Sequence, residues 1–189
     1  MTPDRHGPDG LILAERHPPA AALERARAAR LRRREDDLFC TRQVVISALP
    51  HEVFAYLREP EHLAEWTYSL RGLARAAGPD LWRATDLLTP GSEVFLQLVA
   101  HEPALAVDLR AGAADYLWIT SSLLVRPAGE LLAKPGSVVF WSTARHPNYD
   151  SFPLAPTPDD VWASVAGFHD LELHNLKSIL ESGAGARRA

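Results

Sequence analysis

One cysteine in 189 residues, Cys40, means that no disulfide can form within the chain. No other Cys or His stands beside Cys40 at metal-ligand spacing, so a buried or half-buried thiol is expected there, and no metal. Long hydrophobic runs are also missing. Nothing approaches the roughly 20 apolar residues of a membrane-spanning helix, and Leu11 to Ala14 is too short for the centre of a signal peptide. Membrane insertion is therefore not expected, and the cytoplasm is the expected compartment. An excess of positive charge is lacking too. The net charge is −4; residues 1–37 hold eight Arg against seven acids, which leaves the remainder mildly acidic. A nucleic-acid partner would need a concentrated basic face, and none is expected here.

What is present is the balance of a chain with a core, 47% apolar and 23% charged. Residues 1–19 carry Pro3, Pro8, Pro18 and Pro19 with Gly7 and Gly10, which predicts a flexible arm. Residues 20–37 are rich in Ala, Leu, Glu and Arg and predict a helix. Its apolar stripe is thin, so it reads either as a solvated helix or as the contact of a homodimer.

From Thr41 the pattern alternates. Val44, Val45 and Ile46 form a β-branched run that favours a strand. Pro50 suits the first turn of a helix carrying Val53, Phe54 and Leu57, and Pro60 opens a second short helix that ends near Trp66. Six strands are then expected, over 68–76, 81–88, 93–101, 105–111, 116–126 and 137–145, separated by Gly, Pro and Asp. A long helix closes the chain. Thr157 is its expected N-cap, Pro158 its first residue, Asp159 and Asp160 its first-turn acids, and Gly183 its end, with a flexible tail over 184–189. Gly167 in its interior predicts a bend or a close approach.

The segment VVISALPHEVFAYLREPEHLAEW, from Val44 to Trp66, resembles the opening of the START-like (SRPBCC) superfamily, in particular its polyketide cyclase/dehydrase and lipid-transport branch. The resemblance rests on the β-branched strand, the turn into Pro50, the Val53–Phe54 pair, the Glu59–Pro60 turn and the closing Trp66. It implies an α+β helix-grip fold over residues 38–183: a curved antiparallel sheet of about seven strands around the C-terminal helix, enclosing a cavity for an apolar ligand. It supplies no catalytic motif and implies no cofactor.

Strand parity then selects a lining. Leu105, Val107 and Leu109 are expected to face inward, as are Leu117, Ile119, Ser121, Leu123 and Val125. In the last strand, Val138, Phe140, Ser142 and Ala144 are preferred over Val139, Trp141, Thr143 and Arg145, because burying Arg145 is costly. In the third strand, Trp82, Ala84, Asp86 and Leu88 face inward, which makes Asp86 either a buried carboxylate with acid/base potential or a strand-end residue reaching solvent. On the terminal helix, His169 and Glu172 border the apolar stripe three residues apart, a spacing that lets them share a proton. A core histidine with a nearby acid is the plainer account of the same pair.

The expected catalytic set is thus Asp86, His169 and Glu172. Tyr68, Trp82, Trp118, Ser121, Phe140, Trp141, Ser142, Tyr149 and Phe168 are the expected substrate contacts, with His146, Tyr149 and Asp150 near a cavity mouth. Two functions fit: cyclisation or dehydration of a polyketide-like or lipid-like molecule, or carriage or sensing of such a molecule without chemistry.

Overall fold

The computed structural model describes residues 38–86, 91–148 and 158–186. The expected arm and N-terminal helix, and with them the homodimer contact, lie outside the described residues. β1 (Phe39–Ile46) leads into α1 (Pro50–Leu57), a 3-10 turn (Pro60–His62) and α2 (Leu63–Trp66). β2 (Leu70–Arg75), β3 (Leu81–Asp86), β4 (Ser92–His101), β5 (Ala106–Ala113) and β6 (Tyr116–Pro127) follow. A short α3 (Ala128–Leu132), β7 (Ser137–Ala144) and α4 (Pro158–Ala186) complete the order.

The local causes are visible at α1. Pro50 occupies the first turn, where a missing N–H costs nothing, and Glu52 Oε2 accepts the Leu49 amide at 3.1 Å. Val53, Phe54 and Leu57, at helical spacing, are all buried.

The seven strands form one antiparallel sheet in the order β1-β7-β6-β5-β4-β3-β2. At about 4.8 Å per strand, β7 and β2 would stand roughly 24 Å apart if the sheet were flat. Yet His169 on α4 touches Thr143 of β7, and Glu172, one turn further, holds the amide of Tyr68, two residues before β2. Those helix positions are separated by only about 4.5 Å along the axis. α4 thus packs on one face of the sheet and bridges from β7 to the segment just before β2.

That face carries the core. Ile46, Trp82, Ala84, Leu96, Val107, Leu109, Ala111, Leu123, Val125, Val139 and Trp141 pack with Leu173 and Leu176 of α4 and with Val53, Phe54, Leu57, Leu63 and Trp66 of the short helices. The end of α4 is tied to β1 by a polar latch. Lys177 Nζ donates to the Val45 carbonyl (2.6 Å) and to Glu181 Oε1 (2.9 Å), and Glu181 Oε1 also accepts the Ser47 amide (2.8 Å). The lysine and that amide hold the Glu181 carboxyl below its usual range. Gly136 allows the chain to enter β7 at φ +97°, where a Cβ would collide with the Ile46 carbonyl.

Four expectations need correction. The inner face of β7 is Val139, Trp141 and Thr143, not the preferred alternate set: Val139, Trp141 and Thr143 are at most 4% exposed, and Ser142 instead pairs outward with Thr41 (Oγ–Oγ1 2.7 Å). The strand ends at Ala144, so Arg145 never had to be buried with that set. α3 was not foreseen in a stretch whose Gly129 reads as a turn. α4 continues through Gly183 to Ala186, since glycine permits a helix and no proline follows. Gly167 is exposed with no atom within 4 Å of where a Cβ would sit, so it marks no close approach.

Candidate functional site

Inside this apolar wall runs one polar chain. Ser121 and Thr143 are direct partners in the β6–β7 register, which brings their hydroxyl oxygens to 2.7 Å. Thr143 Oγ1 lies 2.6 Å from His169 Nε2. His169 Nδ1 lies 3.5 Å from Glu172 Oε2, and Glu172 Oε1 accepts the Tyr68 amide at 3.0 Å. Ser121, Thr143, His169 and Glu172 are all buried, at 3%, 1%, 7% and 8% exposure. A buried network of this kind is costly unless its members are satisfied.

Not all of them are. The His169–Glu172 approach is close enough for an ion pair, but it does not meet the geometry of a hydrogen bond, and among the described residues Nδ1 has no hydrogen-bond partner. Trp141 Nε1 is likewise buried and unpartnered. The two residues are neighbours: the imidazole stacks on the Trp141 indole at 3.8 Å and 18°. Trp66 and Trp141 meet edge to face, with ring centroids 5.2 Å apart at 74°.

His169 and Glu172, expected from their spacing, are thus brought together with Ser121, Trp141 and Tyr68. The Tyr68 ring, 48% exposed, stacks on half-buried Phe168 at 5.4 Å. Trp82 is a core residue with the Arg75 guanidinium 4.6 Å above its ring. Trp118 packs with Ile119 against Cys40 and Val165, and lies 5.4 Å from the His146 ring. His146 is fixed on both nitrogens, Nε2 to Tyr116 Oη (3.1 Å) and Nδ1 to the Asn148 amide (3.1 Å).

Asp86 sits at the end of β3, half-buried rather than buried, opposite Leu70 and Ser92. Its parity is inward as expected, but the end of a strand gives water access. Phe140 and Ser142 alternate to the face of β7 away from His169, and so are not part of this chain of contacts. Tyr149 and Asp150 lie outside the described residues.

Thr143 is the residue that sequence reasoning missed. Its signal was the equal spacing of Ser121 and Thr143 across a hairpin, which only the register reveals. Among the described residues no group of three or more His, Cys, Asp and Glu is arranged to hold a metal, and no helix is long and apolar enough to cross a membrane.

Comparison with known proteins agrees with this architecture. Residues 40–181 match the family described as polyketide cyclase / dehydrase and lipid transport. No curated protein matches the sequence. Among solved structures, an uncharacterised protein from Bacillus thuringiensis is similar at 15% identity and TM-score 0.57, covering 75% of this chain and 98% of its own. The XoxI protein from Bacillus cereus is similar at 14% and 0.57, covering 75% and 94%. A Thermus thermophilus protein is similar at 14% and 0.56, covering 77% and 98%. At such identities these structures share the fold alone. By the match over residues 40–181, the chain belongs to the polyketide cyclase/dehydrase and lipid transport family of the START-like (SRPBCC) superfamily.

Proposed function

We propose that the protein binds an apolar, polyketide-like or lipid-like molecule between the inner face of the sheet and α4, and promotes its cyclisation or dehydration. The observation that carries this reading is the buried polar chain Ser121–Thr143–His169–Glu172 set in an apolar wall. Acid/base pairs in such surroundings suit enolate chemistry, because a low-dielectric site strengthens each proton-donating contact. His169 is the group that meets a substrate oxygen, and Glu172, 3.5 Å from the ring, orients the imidazole that donates to it. Asp86, on the inward parity of β3, is the proposed third acid/base group. Trp82, Trp118, Trp141, Tyr68 and Phe168 supply flat apolar surface, and shape alone would bring reacting carbons together.

A non-catalytic carrier is the second reading. It is favoured by the commitment of Glu172 Oε1 to the Tyr68 amide, which is also a way to anchor α4 to the sheet. The two separate on what the protein releases in its own host. Small molecules extracted from wild type and from Asp86→Ala, His169→Ala and Glu172→Gln variants are compared by mass and absorption. An enzyme's variants hold a precursor heavier by one water, or an uncyclised isomer with a changed spectrum. The same molecule on all four proteins would refute catalysis at these residues.

A further inference from the structure

The polar chain has a direction, and that direction restricts the ligand. Ser121 is buried, and its hydroxyl hydrogen has one acceptor within reach among the described residues, Thr143 Oγ1. Ser121 therefore donates to Thr143. Thr143, whose oxygen is accepting, spends its own hydrogen on His169 Nε2. Nε2 is then the acceptor nitrogen, and a neutral His169 carries its proton on Nδ1. The opposite tautomer would set the Nδ1 lone pair 3.5 Å from a carboxylate oxygen of Glu172 and leave one of the two hydroxyl hydrogens without an acceptor.

Both atoms that are unpartnered in this wall among the described residues are consequently N–H donors: His169 Nδ1–H and Trp141 Nε1–H, on rings stacked 3.8 Å apart. Their side chains are more than nine-tenths buried, where an unmet donor is costly. Building on the hydrophobic-ligand reading above, we infer that these two donors form a subsite for an uncharged carbonyl oxygen of the ligand. A hydrocarbon would leave both donors unmet. A carboxylate would meet them but would place a second negative charge beside Glu172. A ketone, ester or quinone oxygen supplies the acceptor without the charge.

Three matched probes test this: acetylnaphthalene, ethylnaphthalene and naphthoate, titrated into the full chain. The readout is the indole N–H resonances of its five Trp, with Trp141 assigned from the Trp141→Phe variant. Acetylnaphthalene is expected to bind about tenfold more tightly than either of the other two, the loss typical of an unmet buried donor. Acetylnaphthalene, unlike ethylnaphthalene, should move the Trp141 indole proton downfield. Trp141→Phe, which keeps a ring against His169 and is checked by its thermal melt, should lose the ketone preference, so that acetylnaphthalene and ethylnaphthalene bind it equally well. Equal affinities for ketone and hydrocarbon, or an unmoved Trp141 resonance in the wild-type complex, would overturn the subsite while leaving hydrophobic binding intact. Tighter binding of naphthoate would overturn the uncharged class. Binding of none of the three would overturn the hydrophobic-ligand reading, and the subsite with it.

Discussion

Thr143→Val is the sharpest perturbation of the polar chain, because it keeps the side chain's shape and removes only the hydroxyl. Thr143 is 1% exposed, so nothing from solvent can replace what is lost. The substitution strands two groups at once: the Ser121 hydroxyl, held at 2.7 Å, and His169 Nε2, held at 2.6 Å. Each buried polar group left unsatisfied costs about 1–3 kcal/mol, so the expected loss for two is about 2–6 kcal/mol. Ser121→Ala removes one hydrogen bond but leaves Thr143 free to donate to His169, and should cost about 1 kcal/mol. The double variant should then lose less than the sum of the two, because removing both hydroxyls strands only the imidazole nitrogen. Thr143→Ser restores the hydroxyl and should recover most of the stability lost in Thr143→Val. Urea unfolding of the four variants and wild type reads each quantity from the midpoint at constant slope. A Thr143→Val loss under about 0.5 kcal/mol, or strictly additive losses in the double variant, would refute the claim that these three side chains form one buried network.

The remaining predictions concern the frame that holds the network. Gly136→Ala places a Cβ against the Ile46 carbonyl at a positive φ, and should lower the thermal midpoint by several degrees or prevent folding. Gly167→Ala does the reverse: its site is open and helical, and the variant should gain about 0.5–1 kcal/mol in the same melt. A loss there would mean that α4 needs the glycine for a reason other than space. Glu181→Gln tests the latch between α4 and β1. Because the folded carboxyl is held low by Lys177 and Ser47, its contribution is present above the ordinary carboxylate value and fades as pH falls through the lowered one. Wild type should therefore lose stability over that acid range, and Glu181→Gln should show a flatter profile. The effect should be modest, since the pair is partly open to water.

The frame was largely legible in the sequence. The β-branched run at Val44–Ile46, Pro50, Pro60 and Trp66 place β1, α1 and α2, because each acts through local backbone or packing preferences that a single chain carries openly. The His169–Glu172 pair was legible for the same reason, as helical spacing alone sets it. The inner face of β7 was not. Both of its alternations are apolar, because α3 packs against β7 and Val138 is buried on the opposite side from Val139. Parity has no contrast to work with in such a strand. The one polar clue, Arg145, lies beyond the strand's end and misled. Thr143 followed the face into obscurity, since its role depends on facing Ser121 across a register that no local pattern encodes. Asp86 was left between two readings, a buried carboxylate or a strand-end residue reaching solvent; its parity is inward and its half-burial fits the second.

The central claim is that the wall between sheet and α4 holds an apolar molecule, and it is tested most directly by native mass spectrometry of the full chain purified from its own host. One non-covalently bound, water-insoluble molecule per chain, released on unfolding and displaced by acetylnaphthalene, is the predicted result. A chain that flies at its bare mass and takes up no apolar probe at any concentration would contradict it.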